Sequence, residues 1–391
     1  MVRDLYLTNY EERALEGEYG EALEIAYRIL LSVGRLTDAS HLIGISSAHI
    51  SGVSYSTIGE HGREFLESYS LNAKVSIPTT VNPLGIDPTD TSDFIIDEKY
   101  LSEQMKIIQS YRKLGVTDSF TCTPYEGFHS QVKGSHVSWA ESSASIYANS
   151  ILDLRTNRES ALSALASAIT GKTPCSELHI DEYRKPSLSI DVNIDEFSGS
   201  MKFGLLGYFA GKMAREPIAF QGIKSPISSE AKALCASIGA SGASGMFLIN
   251  EKVDGESISF DKSNLIKTYD ELNDGTEEED AIILGCPHLN IQEIHEISDI
   301  VEGKKFNKRC LIFCSRRAYD EAKLKGYTEK IEGAGANFMC NTCAVFTPII
   351  SHLEVDIIAT NSCKAAHYLK RAQNVKISLK DTHDLLIEGC K

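Results

Sequence analysis

AIILG from Ala281, CLIFCS from Cys310 and VDIIATNS from Val355 are the stretches whose reading decides the fold. Each is a short β-rich run, too brief for an ordinary helix and apolar enough for a buried strand. Working outward, KVSIPTTV from Lys74, SLSIDVNI from Ser187 and GMFLIN from Gly245 are runs of the same kind. Helical patterns alternate with them. One opens with a capping box at Thr8 and Glu11, carries Leu23, Ala26, Tyr27 and Leu30 on one face, and is expected to stop at Gly34. Another carries Leu101, Met105, Ile108 and Leu114 and ends at Gly115. Strands alternating with helices pack as parallel-rich sheets covered by helices, an α/β architecture.

A chain of 391 residues, 42% hydrophobic and 24% charged, buries a large core and has room for two or three α/β units. Soft boundaries are expected near the turn-rich residues 195–200 and the acidic run DGTEEED at 274–280. With 54 acidic against 39 basic residues the net charge is -15, and no basic run could neutralise a phosphate backbone. Nucleic acid is therefore not an expected partner. The opening MVRDLYLTNYEER lacks the apolar core of a signal peptide, and no run of membrane-spanning length occurs. The expectation is a soluble, cytoplasmic protein with no membrane partner. Ten cysteines are too sparse for a disulfide scaffold, so the question is which of them sit at sites.

In open α/β sheets, ligands gather beyond the carboxyl ends of the strands. Cys122 before Thr-Pro-Tyr, Cys286 between AIILG and Pro-His, and Cys343 in NFMCNTCAVFTP stand at such turns. Spacing alone leaves ordinary burial open, because free cysteine is often buried without function and these three match no local cluster motif. Cys340 and Cys343 have CxxC spacing, but no second pair completes a zinc site. Ser54, Asn82, Glu141, Ser142, Arg158 and Lys364 occupy further turns among small residues, where backbone amides can approach an anion. Taken singly, each also reads as a cap, a turn former or a solvated charge.

Their surroundings carry a resemblance. The blocks EGEYGEALEIAYRIL, SAHISGVSYSTIGEHG, PTTVNPLGID, TCTPY, HVSWAESSASIYANSILDLRTNRE, SAITGKTP, LGCPHLNIQEI, NTCAVFTP and ATNSCKAAHY are similar, in order and over essentially the whole chain, to the archaeal type of the aconitase X family. The resemblance implies an aconitase-like multi-subdomain α/β/α fold lacking the swivelling fourth domain. It implies an iron-sulfur cluster, 4Fe-4S with three cysteine ligands, at Cys122, Cys286 and Cys343. It also implies a substrate pocket lined by Gly52, Val53, Ser54, Asn82, Pro83, Glu141, Ser142 and Lys364, with Glu141, Ser142 and Lys364 as the catalytic set.

The activity implied is that of a hydro-lyase converting mevalonate 5-phosphate, a small phosphorylated hydroxy acid, to trans-anhydromevalonate 5-phosphate. Aconitases take the proton with a serine from a mobile domain that ends the chain. This sequence stops at Lys391 without one, so a small partner subunit is expected to supply it in a heterodimer. A cis-3-hydroxyproline dehydratase-type relative and a non-catalytic iron-sulfur sensor are the competing readings. Two departures from the family pattern stand out: TNRESA where TNREGG is usual, and Cys363 where glycine precedes the lysine.

Overall fold

The computed structural model describes residues 5–91, 94–275 and 278–390. Residues 276 and 277 of the acidic run, and Lys391, lie outside them.

Fourteen strands form four sheets among the described residues. In the first part of the chain, β1 (Leu42–Gly44), β2 (Ala48–Ile50), β3 (Thr79–Val81), β4 (Ser138–Trp139) and β5 (Lys172–Pro174) make a parallel sheet ordered β3-β2-β4 and an antiparallel ribbon, β1 with β5. In the middle, β6 (Leu188–Val192), β7 (Ile218–Gln221), β8 (Phe247–Ile249) and β9 (Glu256–Phe260) form a parallel sheet ordered β8-β7-β6-β9. Last come β10 (Ala281–Leu289), β11 (Arg309–Cys314), β12 (Ala336–Cys340), β13 (Ile357–Thr360) and β14 (Lys376–Leu379), parallel in the order β12-β11-β10-β13-β14. The quoted runs at Ala281, Cys310 and Val355 are three neighbours at the centre of this last sheet. Ile283, Leu311 and Ile358 are fully buried between its helical layers. That double burial is why these runs are continuously apolar. The turn-rich stretch 195–200 joins β6 to the helix Ser200–Met213. Sheet membership itself changes in 175–187 and 261–280.

Some helix boundaries differ from expectation. The Thr8 capping box forms, with Thr8 N donating to Glu11 Oε2 at 2.7 Å, but its helix, Asn9–Leu15, ends after seven residues. A turn with positive φ at Gly17 and Gly20 precedes a second helix, Glu21–Leu36. Gly34 is not its stop but a buried interior residue, and a Cβ there would lie 2.4 Å from the end of Leu5. The glycine serves packing, which a sequence signal for termination does not distinguish. The helix Glu98–Leu114 ends as expected, with Gly115 left-handed at φ 86.

One irregularity decides the site. Strand β10 pairs regularly with β11 as far as Leu284↔Ile312, then resumes at Leu289↔Cys314, so four residues of β10 fall where one faces the partner. Gly285 takes φ 101, and a Cβ there would stand 2.1 Å from the Phe313 carbonyl. Only glycine fits, and the bulge turns Cys286 out of the strand.

Candidate active site

The carboxyl ends of strands from the first and last sheets face one cavity of about 380 Å³. Strand β2 runs into Ser51 to Ser54, β3 into Asn82 and Pro83, and β4 reaches Glu141 and Ser142 through one residue. Strand β10 contributes Gly285, Cys286 and His288, the loop after β12 contributes Cys343, and the helix after β13 contributes Lys364. All three candidate cysteines and all eight candidate pocket residues line this cavity. Arg158 does not line it. Its guanidinium holds the carbonyls of Gly242 and Gly239 at 2.5 and 3.1 Å, a structural clamp.

Backbone hydrogen bonds join the first part of the chain to the last. Leu84 N donates to Asn341 O and Cys343 N to Leu84 O, both at 2.8 Å, tying the loop after β3 to the Cys343 loop. Ser362, capping the helix Cys363–Ala372, donates to the Cys286 carbonyl. Gly52 needs its φ of 76, and a Cβ there would press on Ala161 at 3.0 Å.

At the heart of the cavity Lys364 Nζ lies 2.5 Å from Glu141 Oε1, with both side chains only 12% exposed. Glu141 Oε2 accepts from Asn82 Nδ2 at 2.9 Å, and Oε1 from Ser143 Oγ at 3.2 Å. Burial alone would push the Glu141 carboxyl up, but the Lys364 charge and the Lys364 and Asn82 hydrogen bonds hold it down at about 2. Burial would likewise lower Lys364, and Glu141, Cys286 and Cys122 outweigh it and raise the ammonium instead. Glu141 is thus held as an ionised acceptor of Lys364, Asn82 and Ser143.

Burial, with Glu141 adding, pushes the Cys122 thiol up to about 12, and burial raises Cys286 and Cys343 too. Cys286 also feels the other two thiols. Protonated thiols of this kind are inert until a metal replaces the proton. Among the described residues no three His, Cys, Asp or Glu side chains converge to hold a single metal ion. Three thiols lining one cavity are the kind of donor set that a polynuclear iron-sulfur group takes. Donors are in place as well: His288 N reaches Cys122 Sγ at 3.2 Å, and the Phe346 and Val345 amides act on Cys343. Hydrogen bonds to sulfur of this kind support cluster thiolates. The residues present fit such a group.

The remaining cysteines face elsewhere. Cys340 is buried against Cys314 in the last sheet, so Cys340 and Cys343 do not share one site. Cys363 is buried against Gly204 and hydrogen-bonded to Ser237, away from the cavity.

Sequence reading missed His288, which lines the cavity, and His49, Thr80 and His129 behind it. His288 follows Cys286 by two residues and could have been singled out on that ground. Nothing in the sequence marks the other three.

Family models described as the first, second and third domains of aconitase X match residues 4–182, 186–271 and 279–391. The phosphomevalonate dehydratase large subunit of Methanocaldococcus jannaschii is 39% identical, over 98% of this chain and 99% of its own length. A cis-3-hydroxy-L-proline dehydratase from Pseudomonas aeruginosa is 28% identical, over 93% of this chain but 66% of its own. The crystal structure of the holo-form of Thermococcus kodakaraensis aconitase X superposes with a TM-score of 0.91 at 36% identity, covering 98% of this chain and all of that one.

Proposed function

The chain belongs to the aconitase X family, and from that premise we propose that it is the large subunit of a hydro-lyase dehydrating mevalonate 5-phosphate to trans-anhydromevalonate 5-phosphate in an archaeal-type isoprenoid pathway. What supports this most is the gathering of Cys122, Cys286 and Cys343 with the Glu141–Lys364 pair on one cavity. The family implies an iron-sulfur cluster; its form here is proposed as 4Fe-4S, held by those three thiolates. When bound, it supplies a Lewis-acidic iron toward the leaving hydroxyl.

The chain's own residues then divide the remaining work. Lys364 offers positive charge to a substrate anion, at the cost of loosening its bond to Glu141. Glu141, held ionised, orients the departing hydroxyl as an acceptor. Ser142 follows it at the start of the next helix, and Ser54, Asn82 and the amides around Gly52 and Val53 fix the polar ends of the substrate. Pro83 adds an apolar wall. With Oε2 on Asn82 and Oε1 beside Lys364, Glu141 is engaged at both oxygens and is given no part in taking the carbon-bound proton. That proton is assigned to a residue of a small swivelling-domain partner, with which this chain forms a heterodimer. The hydroxyproline reading is disfavoured by the greater distance of those relatives.

The test is anaerobic reconstitution with the small subunit. Iron and sulfide in the large chain, and turnover of mevalonate 5-phosphate but not cis-3-hydroxyproline by the pair, are expected. Preference for the amino acid, or robust turnover by the large chain alone, refutes the corresponding part of the proposal.

A further inference from the structure

The Lys364–Glu141 pair is one end of a longer line of hydrogen bonds leading away from the cavity. Glu141 Oε2 accepts from Asn82 Nδ2, and Asn82 Oδ1 lies 2.7 Å from His49 Nε2. His49 Nδ1 lies 2.8 Å from Thr80 Oγ1, which in turn lies 2.7 Å from His129 Nε2. His49 and Thr80 are buried and sit opposite each other on β2 and β3.

The direction of every bond follows from the Lys364 end. An ammonium only donates and an ionised carboxylate only accepts. Asn82 must therefore turn its NH2 to Glu141 and its carbonyl to His49. A carbonyl only accepts, so His49 carries a proton on Nε2. Burial lowers His49 to about 4 and keeps the ring neutral, which makes Nδ1 a bare acceptor for the Thr80 hydroxyl proton. Thr80 oxygen then receives from His129 Nε2. Among the described residues the line ends at His129 Nδ1, which is buried with no hydrogen-bond partner. A flipped Asn82 amide would set oxygen against the Glu141 carboxylate and NH2 against the His49 donor. The first contact is repulsive whatever the His49 tautomer, and the second is repulsive as long as His49 keeps its proton on Nε2.

We infer that His49 is a positioning residue for the dehydration: by donating from Nε2 to the Asn82 carbonyl, it locks the amide so that Asn82 always presents a donor to Glu141. Glu141 Oε1, which also takes the Ser143 hydroxyl, thereby faces Lys364 and, as Lys364 turns to the substrate, the reacting end of the substrate. This rests on the dehydratase reading of the cavity, so the experiment has one arm that needs no turnover.

In that arm, 15N NMR of the histidine-labelled complex reads the His49 tautomer, with the signal assigned by its loss in His49→Gln. A neutral ring protonated at Nε2 is expected. An Nδ1–H tautomer or an imidazolium at neutral pH overturns the inference whatever the enzyme's substrate, whereas a wild-type complex inactive on mevalonate 5-phosphate would sink the functional reading alone. In the kinetic arm, His49→Leu lowers kcat about 10–100-fold, the usual cost of removing outer support from a site, with a smaller change in KM and full iron content. His49→Gln, whose amide nitrogen can reach the same carbonyl, recovers most of the loss. A Leu variant with wild-type kcat overturns the inference, as does an equal loss in both variants with full clusters. If His49→Leu does not fold, the tautomer measurement still decides.

Discussion

Cys122, Cys286 and Cys343 differ from Cys235, Cys310, Cys314 and Cys363 in surroundings, not in the state of the thiol. The Cys340 hydrogen bond and then burial raise Cys314, and burial raises the other six. Yet the first three share one cavity with Lys364, whereas Cys363, its neighbour along the chain, is turned against Gly204 and Ser237. The first set sits where regular structure is interrupted, at a Thr-Pro turn, a strand bulge and the loop after β12. The second set sits inside strands and helices, against other side chains. A shared cavity and one nearby positive charge, not thiol acidity, separate a candidate ligand from a core residue.

The sharpest way to break this distinction is to exchange ligands. Serine at Cys122, Cys286 or Cys343, one at a time, is expected to strip iron and cut turnover by more than about 100-fold, beyond what losing outer support costs. Iron and sulfide assays on anaerobically prepared protein check it, and full iron in all three variants would mean that the cavity thiols are no different from the core ones.

The positive charge is the next point of attack. Lys364→Ala leaves Glu141 buried without its partner, and breaking a buried pair typically destabilises by about 3–5 kcal/mol. Urea unfolding should register that loss, and substrate affinity should fall with it. A change within about 0.5 kcal/mol would place the pair in effective contact with water.

Acid sharpens the same contrast more gently. The Glu141 carboxyl is held below its unfolded value of 4.5, so its contribution to stability is complete above about pH 4.5 and declines as pH falls toward about 2. In Lys364→Ala this part of the pH dependence should flatten. An identical slope in wild type and variant would remove Glu141 as its source.

The smallest effect belongs to the core set. Cys235→Ala or Cys310→Ala is expected to cost about 1 kcal/mol, an ordinary value for a point substitution, and to leave iron content untouched. Loss of iron from either variant would erase the boundary between the two sets.

The last sheet was legible because its central strands are covered on both faces and read as unbroken apolar runs. Shorter strands escaped notice: Ala48–Ile50 and Ser138–Trp139 have three and two residues, too few for any period to register. The Gly34 misreading has a related cause, since a glycine that admits a neighbour and a glycine that ends a helix look alike in one dimension.

The sequence by itself determined the α/β class and the candidate residues, because strand runs and turn residues are local and the resemblance is carried by contiguous blocks. Tertiary structure alone decided that Glu141 is ionised and bound to Lys364, 223 residues away along the chain, and that Cys340 turns from the cavity while Cys343 faces it. It also decided that His49, Thr80 and His129 stand in line behind Asn82. Charge state and hydrogen-bond direction depend on which groups share a low-dielectric space, and residues distant in sequence come to share it only when the first and last sheets close over one cavity.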